Sequence, residues 1–168
     1  MWNYFEETVL KLQELPQFSS LEVPVIIENL FPDVQYIWIV RRNKVRQAVS
    51  WAIAAQTGIY AKWQEEFRQP LQEPVFDFDQ IDDLHDLILE GEAGWQNYFE
   101  SNQIEPFKVY FEDLVEAYEG TGKKILDSLD VPYPDNLAFG QRKMKKQGTS
   151  LNEDWAEKYR SLKGLSSL

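Results

Sequence analysis

The feature that most constrains the fold is a change of hydrophobic period near residue 36. Residues 36–40, Tyr-Ile-Trp-Ile-Val, form a continuous apolar run of β-branched and aromatic residues, which is typical of a strand buried on both faces. Directly after it, Asn43 is a residue type that caps helices, and apolar residues then recur at helical spacing until Gly58. A buried strand that leads through a short turn into a helix predicts an α/β fold with a parallel sheet.

The remaining sequence predicts helices around one further strand. Apolar periodicity predicts helices over residues 2–15, 22–30, 79–102, 121–129 and 152–162. The apolar run at 107–111 predicts the second strand, and Gly120 and Gly122 are expected to break the helical stretch that follows it. We therefore expect a predominantly helical protein with a small parallel sheet. Its 43% of hydrophobic residues suffice for the core of one domain over residues 1–168.

Composition excludes several kinds of chemistry. The chain has no Cys and one His, His85, which excludes disulfides, a thiol nucleophile and cysteine-ligated zinc, and we expect no metal site. The net charge of −11 disfavours general affinity for nucleic acid or an anionic membrane. No apolar run approaches the roughly 18 residues of a membrane span, and the first residues do not follow the pattern of a signal peptide. These features favour a cytoplasmic protein.

Two basic windows interrupt this acidic sequence. Of the 17 Lys and Arg, four lie at 41–46 and four at 142–146, and neither window contains an acidic residue. The first window lies where a strand enters a helix, and the unpaired amide groups and dipole of a helix start favour anions. Arg42 lies at this corner, and Ser50 lies two turns along one helix face, so both are candidate ligands of a phosphate monoester. The spacing alone leaves open a plain solvated helix start.

The sequence around this corner resembles a known phosphate-binding element. Residues 42–50, Arg-Asn-Lys-Val-Arg-Gln-Ala-Val-Ser behind an apolar strand, resemble the element that holds the 3′-phosphate in sulfotransferases dependent on 3′-phosphoadenosine 5′-phosphosulfate (PAPS). Further similar stretches are Ala-Ala-Gln-Thr-Gly at 54–58, Trp95, Phe99, Ile-Glu-Pro at 104–106, Phe-Glu-Asp-Leu at 111–114 and residues 147–159. In this order and spacing they are similar to the bacterial trehalose-sulfotransferase type.

The resemblance implies a P-loop-type sulfotransferase fold and a specific reaction. A sulfuryl group passes from PAPS to a hydroxyl of a carbohydrate or glycolipid acceptor, leaving adenosine 3′,5′-bisphosphate, and no metal is required. The nucleotide-binding residues that it implies are Arg42 and Ser50 for the 3′-phosphate, and Arg142, Lys143, Lys145 and Lys146 in a basic segment that closes over the same nucleotide. For that second segment, a plain solvated basic loop stays open as an alternative.

The sequence also departs from the family pattern. The family begins with a strand and a Ser-Gly-Ser/Thr-type loop for the 5′-phosphosulfate, followed by the carboxylate that acts as general base, and neither has a counterpart here. We therefore expect a truncated domain, its carboxy-terminal two-thirds, with no catalytic residue of its own. An apolar edge left open beside residues 36–40 would favour a homodimer.

Three functions stay open from the sequence. The first is a PAPS-dependent carbohydrate sulfotransferase. The second is a non-catalytic remnant of that fold which binds an adenosine phosphate or a protein partner. The third is a helical interaction protein without a nucleotide site, which burial of Arg42 in a structural salt bridge would favour. The acidic pair Glu112 and Asp113 is interpreted as a structural junction between the second strand and the next helix.

Overall fold

The computed structural model describes residues 2–61, 67–140 and 150–165. The helices are α1 (Trp2–Gln13), α2 (Val23–Leu30), α3 (Lys44–Thr57), α4 (Phe78–Ser101), α5 (Phe111–Glu116), α6 (Tyr118–Ser128) and α7 (Ser150–Lys163), and the strands are β1 (Ile37–Val40) and β2 (Phe107–Tyr110). The prediction of a mostly helical α/β protein is confirmed.

The two strands form a parallel sheet, as the sequence predicted. Ile37 lies opposite Phe107 and Val40 lies opposite Tyr110, so the carboxyl ends of both strands meet at one edge. β1 leads into α3 and β2 leads into α5. The turns that follow the strands therefore converge at this edge.

The expectation that β1 is buried on both faces is wrong. Trp38 and Val40 lie on the face covered by α4, with the Trp38 ring 5.5 Å from the Phe99 ring and Val40 buried. On the other face, Ile37 and Ile39 are 37% and 49% exposed. The described helices pack against one side of this strand, and an apolar stripe is left open on the other.

The core lies between α3, α4 and α7. Its buried residues are Val45, Ala48, Val49, Ala52, Ile81, Ile88, Trp155, Ala156 and Tyr159. Ala48, Ala52 and Ala156 are fully buried, and such small side chains let helix axes approach closely. This packing holds α7 against α3 and so brings the end of the described chain beside the start of α3.

The predicted helix break at Gly120 and Gly122 is wrong. Both glycines lie inside α6, and the helical stretch is interrupted earlier, at Ala117, whose φ of −121° and ψ of 59° are not helical. Gly122 serves packing instead, because a Cβ there would lie 2.8 Å from the ring of Phe139. The space that the Phe139 ring occupies favours glycine at this position, although glycine has a low helix propensity.

Candidate functional site

The charged residues after the two strands form a carboxyl-edge cluster, in the position where parallel α/β sheets bind their ligands. We use this name for Arg41, Arg42, Asn43, Lys44 and Arg46 at the β1–α3 junction, Glu112 and Asp113 in α5, and Arg160 in α7. Residues from three separate parts of the chain thus meet at the start of α3.

Asn43 caps α3, as the sequence predicted. Its backbone is extended, and its side-chain Oδ1 accepts a hydrogen bond of 2.9 Å from the backbone N–H of Arg46. The same oxygen accepts a second hydrogen bond, 3.1 Å long, from Nη2 of Arg160. At its other end the helix stops at Gly58 in the left-handed conformation, with φ of 69°. The cap thus fixes the start of α3 and also holds the guanidinium of α7.

Glu112 joins the two turns of the cluster. Both of its carboxylate oxygens lie 3.1 Å from the backbone N–H of Arg42, which donates to them. Burial raises the pKa of this carboxyl, but hydrogen bonds from the backbone N–H groups of Arg42 and Asn43 outweigh that effect and leave the pKa below its ordinary value. The backbone N–H groups of Arg42 and Arg46 are thus already engaged by side chains.

The guanidinium of Arg42 is held by the β2–α5 turn. Its Nη1 and Nη2 donate to the two carboxylate oxygens of Asp113 at 2.6 and 2.8 Å, and it lies 4.0 Å over the ring of Tyr110. This bonding lowers the pKa of the Asp113 carboxyl and raises the pKa of Arg42. The Arg42 side chain is nevertheless 49% exposed. The salt bridge exists, therefore, but Arg42 is not buried in it.

The other cations of the cluster fall into two groups. Lys44 pairs with Glu92 of α4, and Arg46 pairs with Glu153 of α7. Within the described ranges 2–61, 67–140 and 150–165, by contrast, no carboxylate lies within salt-bridge distance of Arg41. The same holds for Arg160 among these residues.

Arg41 lies against an aromatic ring. Its guanidinium is 4.1 Å from the centre of the Phe111 ring. Burial lowers the pKa of Arg41, attraction by Glu112 acts in the opposite direction, and repulsion by Arg46 adds to the lowering. A partly desolvated guanidinium without a salt bridge gains more from a nearby anion than a solvated one does.

Ser50 lies half-buried two turns into α3. The structure records no direct contact between Ser50 and Arg42, whose guanidinium is turned toward Asp113. On the same helix, the side-chain Oε1 of Gln47 is buried and has no hydrogen-bond partner among the described atoms. Arg142, Lys143, Lys145 and Lys146 of the second basic window lie outside the described residues.

Two members of the cluster were missed by the sequence reasoning. Arg160 lies 117 positions from the Asn43 that it contacts, and its place in α7 carried no signal of a site. Asp113 was interpreted together with Glu112 as part of a structural junction, and its paired hydrogen bonds to Arg42 were not predicted. What could have identified Asp113 is its position at the end of a strand parallel to β1, since parallel strands bring their following turns together.

The opposite end of the sheet carries a different feature, an open groove of about 880 Å³. It lies where β1 and β2 begin, and its lining includes Tyr36 and Phe107. The acidic residues Glu28 and Glu105 also line it. None of the described residues that line it is Lys, Arg or His. A groove with this charge disfavours anions.

Two further features concern the part of the chain that the structure describes. No helix there is long and apolar enough to cross a membrane. No group of three or more His, Asp and Glu side chains there is placed to hold a metal ion.

Comparison with known proteins gives one family. A family model described as Stf0 sulphotransferase matches residues 1–162, which includes both strands and every member of the carboxyl-edge cluster. No curated protein matches the chain. The match agrees with the resemblance to the trehalose-sulfotransferase type found in the sequence.

Proposed function

Because the chain belongs to the Stf0 sulphotransferase family, we propose that its carboxyl-edge cluster binds the 3′-phosphate of PAPS. In this proposal Arg42 and Ser50 hold the phosphate, as the family resemblance implies. Arg142, Lys143, Lys145 and Lys146 close over the same nucleotide from the carboxy-terminal side.

The observation that carries the proposal is the set of cations at the start of α3. In a chain of net charge −11, cations from the β1–α3 junction and from α7 lie around one helix start. Arg41 and Arg160 have no salt bridge within the described residues, and Arg42 is half-exposed. Such a group of guanidinium ions favours a polyanion, and guanidinium is well suited to bind phosphate through paired hydrogen bonds.

We propose sulfuryl transfer as the reaction in which this nucleotide is used. The sulfuryl group leaves the phosphosulfate oxygen and bonds to a hydroxyl oxygen of a carbohydrate or glycolipid acceptor, whose proton is released. Adenosine 3′,5′-bisphosphate is the product. The residues of the cluster bind and orient the nucleotide for this step, and binding at the 3′-phosphate, away from the reacting group, fixes the position of the sulfuryl group. No residue of the chain is assigned as the general base.

A second function, association of two copies, is favoured by the open face of β1. Ile37 and Ile39 are exposed on it. Among the described residues, each strand of the sheet also has one side without a partner strand. Light scattering over a concentration series should give the mass of a homodimer. A monomer of 19.8 kDa at all concentrations would exclude this association.

The nucleotide proposal is tested by calorimetry with two ligands. Adenosine 3′,5′-bisphosphate should bind more tightly than adenosine 5′-phosphate, because only the former carries the 3′-phosphate. Ser50→Ala removes one hydrogen-bond donor and should lower the affinity for adenosine 3′,5′-bisphosphate by about two- to tenfold. The affinity for adenosine 5′-phosphate should not change. Ser101→Ala, at the exposed end of α4, is the matched control.

The outcomes separate the candidate functions. Equal affinity for the two ligands, or no binding by folded protein, would contradict the proposal of a 3′-phosphate site. Transfer of labelled sulfate from PAPS to a sugar or glycolipid hydroxyl would establish the enzyme. Binding that depends on the 3′-phosphate, without transfer to any acceptor, would instead support the non-catalytic alternative.

A further inference from the structure

We propose that Asp113 is a positioning residue of the nucleotide site, which holds the Arg42 guanidinium in the orientation that receives the 3′-phosphate. The inference rests on the proposed function and assigns a role to a residue outside the phosphate-binding element of residues 42–50. Asp113 acts on the nucleotide only through Arg42.

The geometry fixes the guanidinium in two directions. The paired hydrogen bonds of 2.6 and 2.8 Å to Asp113 set its rotation within its own plane. The Tyr110 ring, 4.0 Å away, lies against one of its faces. Both contacts come from the end of β2 and the start of α5. The side chain that follows β1 is therefore oriented by the turn after the neighbouring strand.

The backbone of Arg42 is held by the residue next to Asp113. Both carboxylate oxygens of Glu112 accept hydrogen bonds from the backbone N–H of Arg42. Consecutive carboxylates thus fix the main chain and the side chain of one arginine. Stability alone does not account for the second pair, because both side chains of the Arg42–Asp113 pair are about half exposed, at 49% and 50%, and exposed ion pairs contribute little to folding.

The arrangement leaves donors available for a ligand. Arginine carries five N–H donors, and Asp113 engages one on Nη1 and one on Nη2. Among the described residues no acceptor is hydrogen-bonded to Nε–H or to the second N–H of either terminal nitrogen. A phosphate that meets these donors binds a guanidinium whose rotamers are already restricted. The entropic cost of ordering a long side chain on binding is thereby reduced.

The test is a mutant cycle measured by calorimetry with adenosine 3′,5′-bisphosphate. Asp113→Asn keeps the shape of the side chain but cannot accept both guanidinium N–H groups. It should weaken binding by about three- to tenfold, which corresponds to the cost of ordering one long side chain. Asp113→Glu, which keeps the carboxylate, should recover part of the loss. In an Arg42→Ala background, Asp113→Asn should have no effect on affinity.

Controls separate positioning from folding. Thermal unfolding should give nearly the same midpoint for Asp113→Asn and the unchanged protein, and the affinity for adenosine 5′-phosphate should not move. Unchanged binding of adenosine 3′,5′-bisphosphate by Asp113→Asn would overturn the positioning role alone. Tighter binding would also overturn it and would show that Asp113 competes with the phosphate for Arg42. An equal loss in the Arg42→Ala background would also overturn it. No binding by the unchanged protein would overturn the proposed function together with this inference.

Discussion

The two ends of the small sheet differ in shape and in charge. At the amino ends of β1 and β2 lies the groove of about 880 Å³, whose described lining includes Glu28 and Glu105 and no basic residue. At the carboxyl ends lies the carboxyl-edge cluster, in which the cations of β1–α3 and α7 meet. If volume decided function, the groove would be the nucleotide site. Charge and chain direction favour the other end.

Chain direction explains the difference. Parallel strands that each lead into a helix place two helix starts at one edge of the sheet. Here β1 leads into α3 and β2 into α5, so side chains that follow both strands reach each other, as Arg42 and Asp113 do. The carboxyl-edge cluster is thus produced by the meeting of two turns and not by a cavity.

The largest effect is expected from a substitution at the carboxyl ends of the strands, compared with one at their amino ends. Arg42→Ala should lower the affinity for adenosine 3′,5′-bisphosphate by about ten- to hundredfold, because charge-assisted hydrogen bonds are lost. Glu105→Gln in the groove should leave the affinity unchanged, and Arg68→Ala, an exposed arginine outside the cluster, is the matched control. A larger loss from Glu105→Gln than from Arg42→Ala would reverse the comparison.

Much of the local structure around the carboxyl-edge cluster was predictable from the sequence. The β1–α3 unit follows from the change of period at residue 36, and the cap at Asn43 and the stop at Gly58 follow from residue type. Each of these signals lies within a few residues of the feature that it specifies. That is why the strand, its helix and the corner between them were predicted correctly.

The parts that the sequence did not predict depend on distant packing. Arg160 reaches Asn43 only because α7 packs on α3, and Asp113 reaches Arg42 only because β2 pairs with β1. The exposure of Ile39 and the continuation of α6 through Gly122 likewise depend on which elements pack nearby. No local pattern encodes these contacts, since each joins residues that are far apart in the chain.

A smaller effect is expected from the caps of the helices at the two ends. Asn43→Ala removes the side-chain cap of α3 and should lower the free energy of unfolding by about 1 kcal/mol. Glu22 is the corresponding residue of α2, the helix beside the groove, and makes no side-chain cap hydrogen bond. Glu22→Ala should therefore change the free energy of unfolding much less. Denaturant unfolding of both variants measures the difference. Equal losses of unfolding free energy in the two variants would show that the Asn43 side chain stabilises the protein no more than Glu22 does.

The smallest effect concerns pH. Because the folded-state pKa of Glu112 lies below its ordinary 4.5, its contribution to stability is present above that value and is lost as the pH falls through the folded pKa. Glu112→Gln should therefore reduce the stability difference between pH 7 and acid by about 0.5 kcal/mol or less, since the carboxylate is partly exposed. Denaturant unfolding at both pH values checks this. A Glu112→Gln variant with the full acid-induced loss would rule out the contribution.

We propose above that the nucleotide binds at the carboxyl ends of the strands. The most direct test is titration of isotope-labelled protein with adenosine 3′,5′-bisphosphate, followed through the backbone amide resonances. We expect the largest shifts at Arg42, Asn43 and Ser50, with Tyr36 and Phe107 nearly unchanged. Shifts concentrated at Tyr36 and Phe107, or no shifts in folded protein, would contradict it.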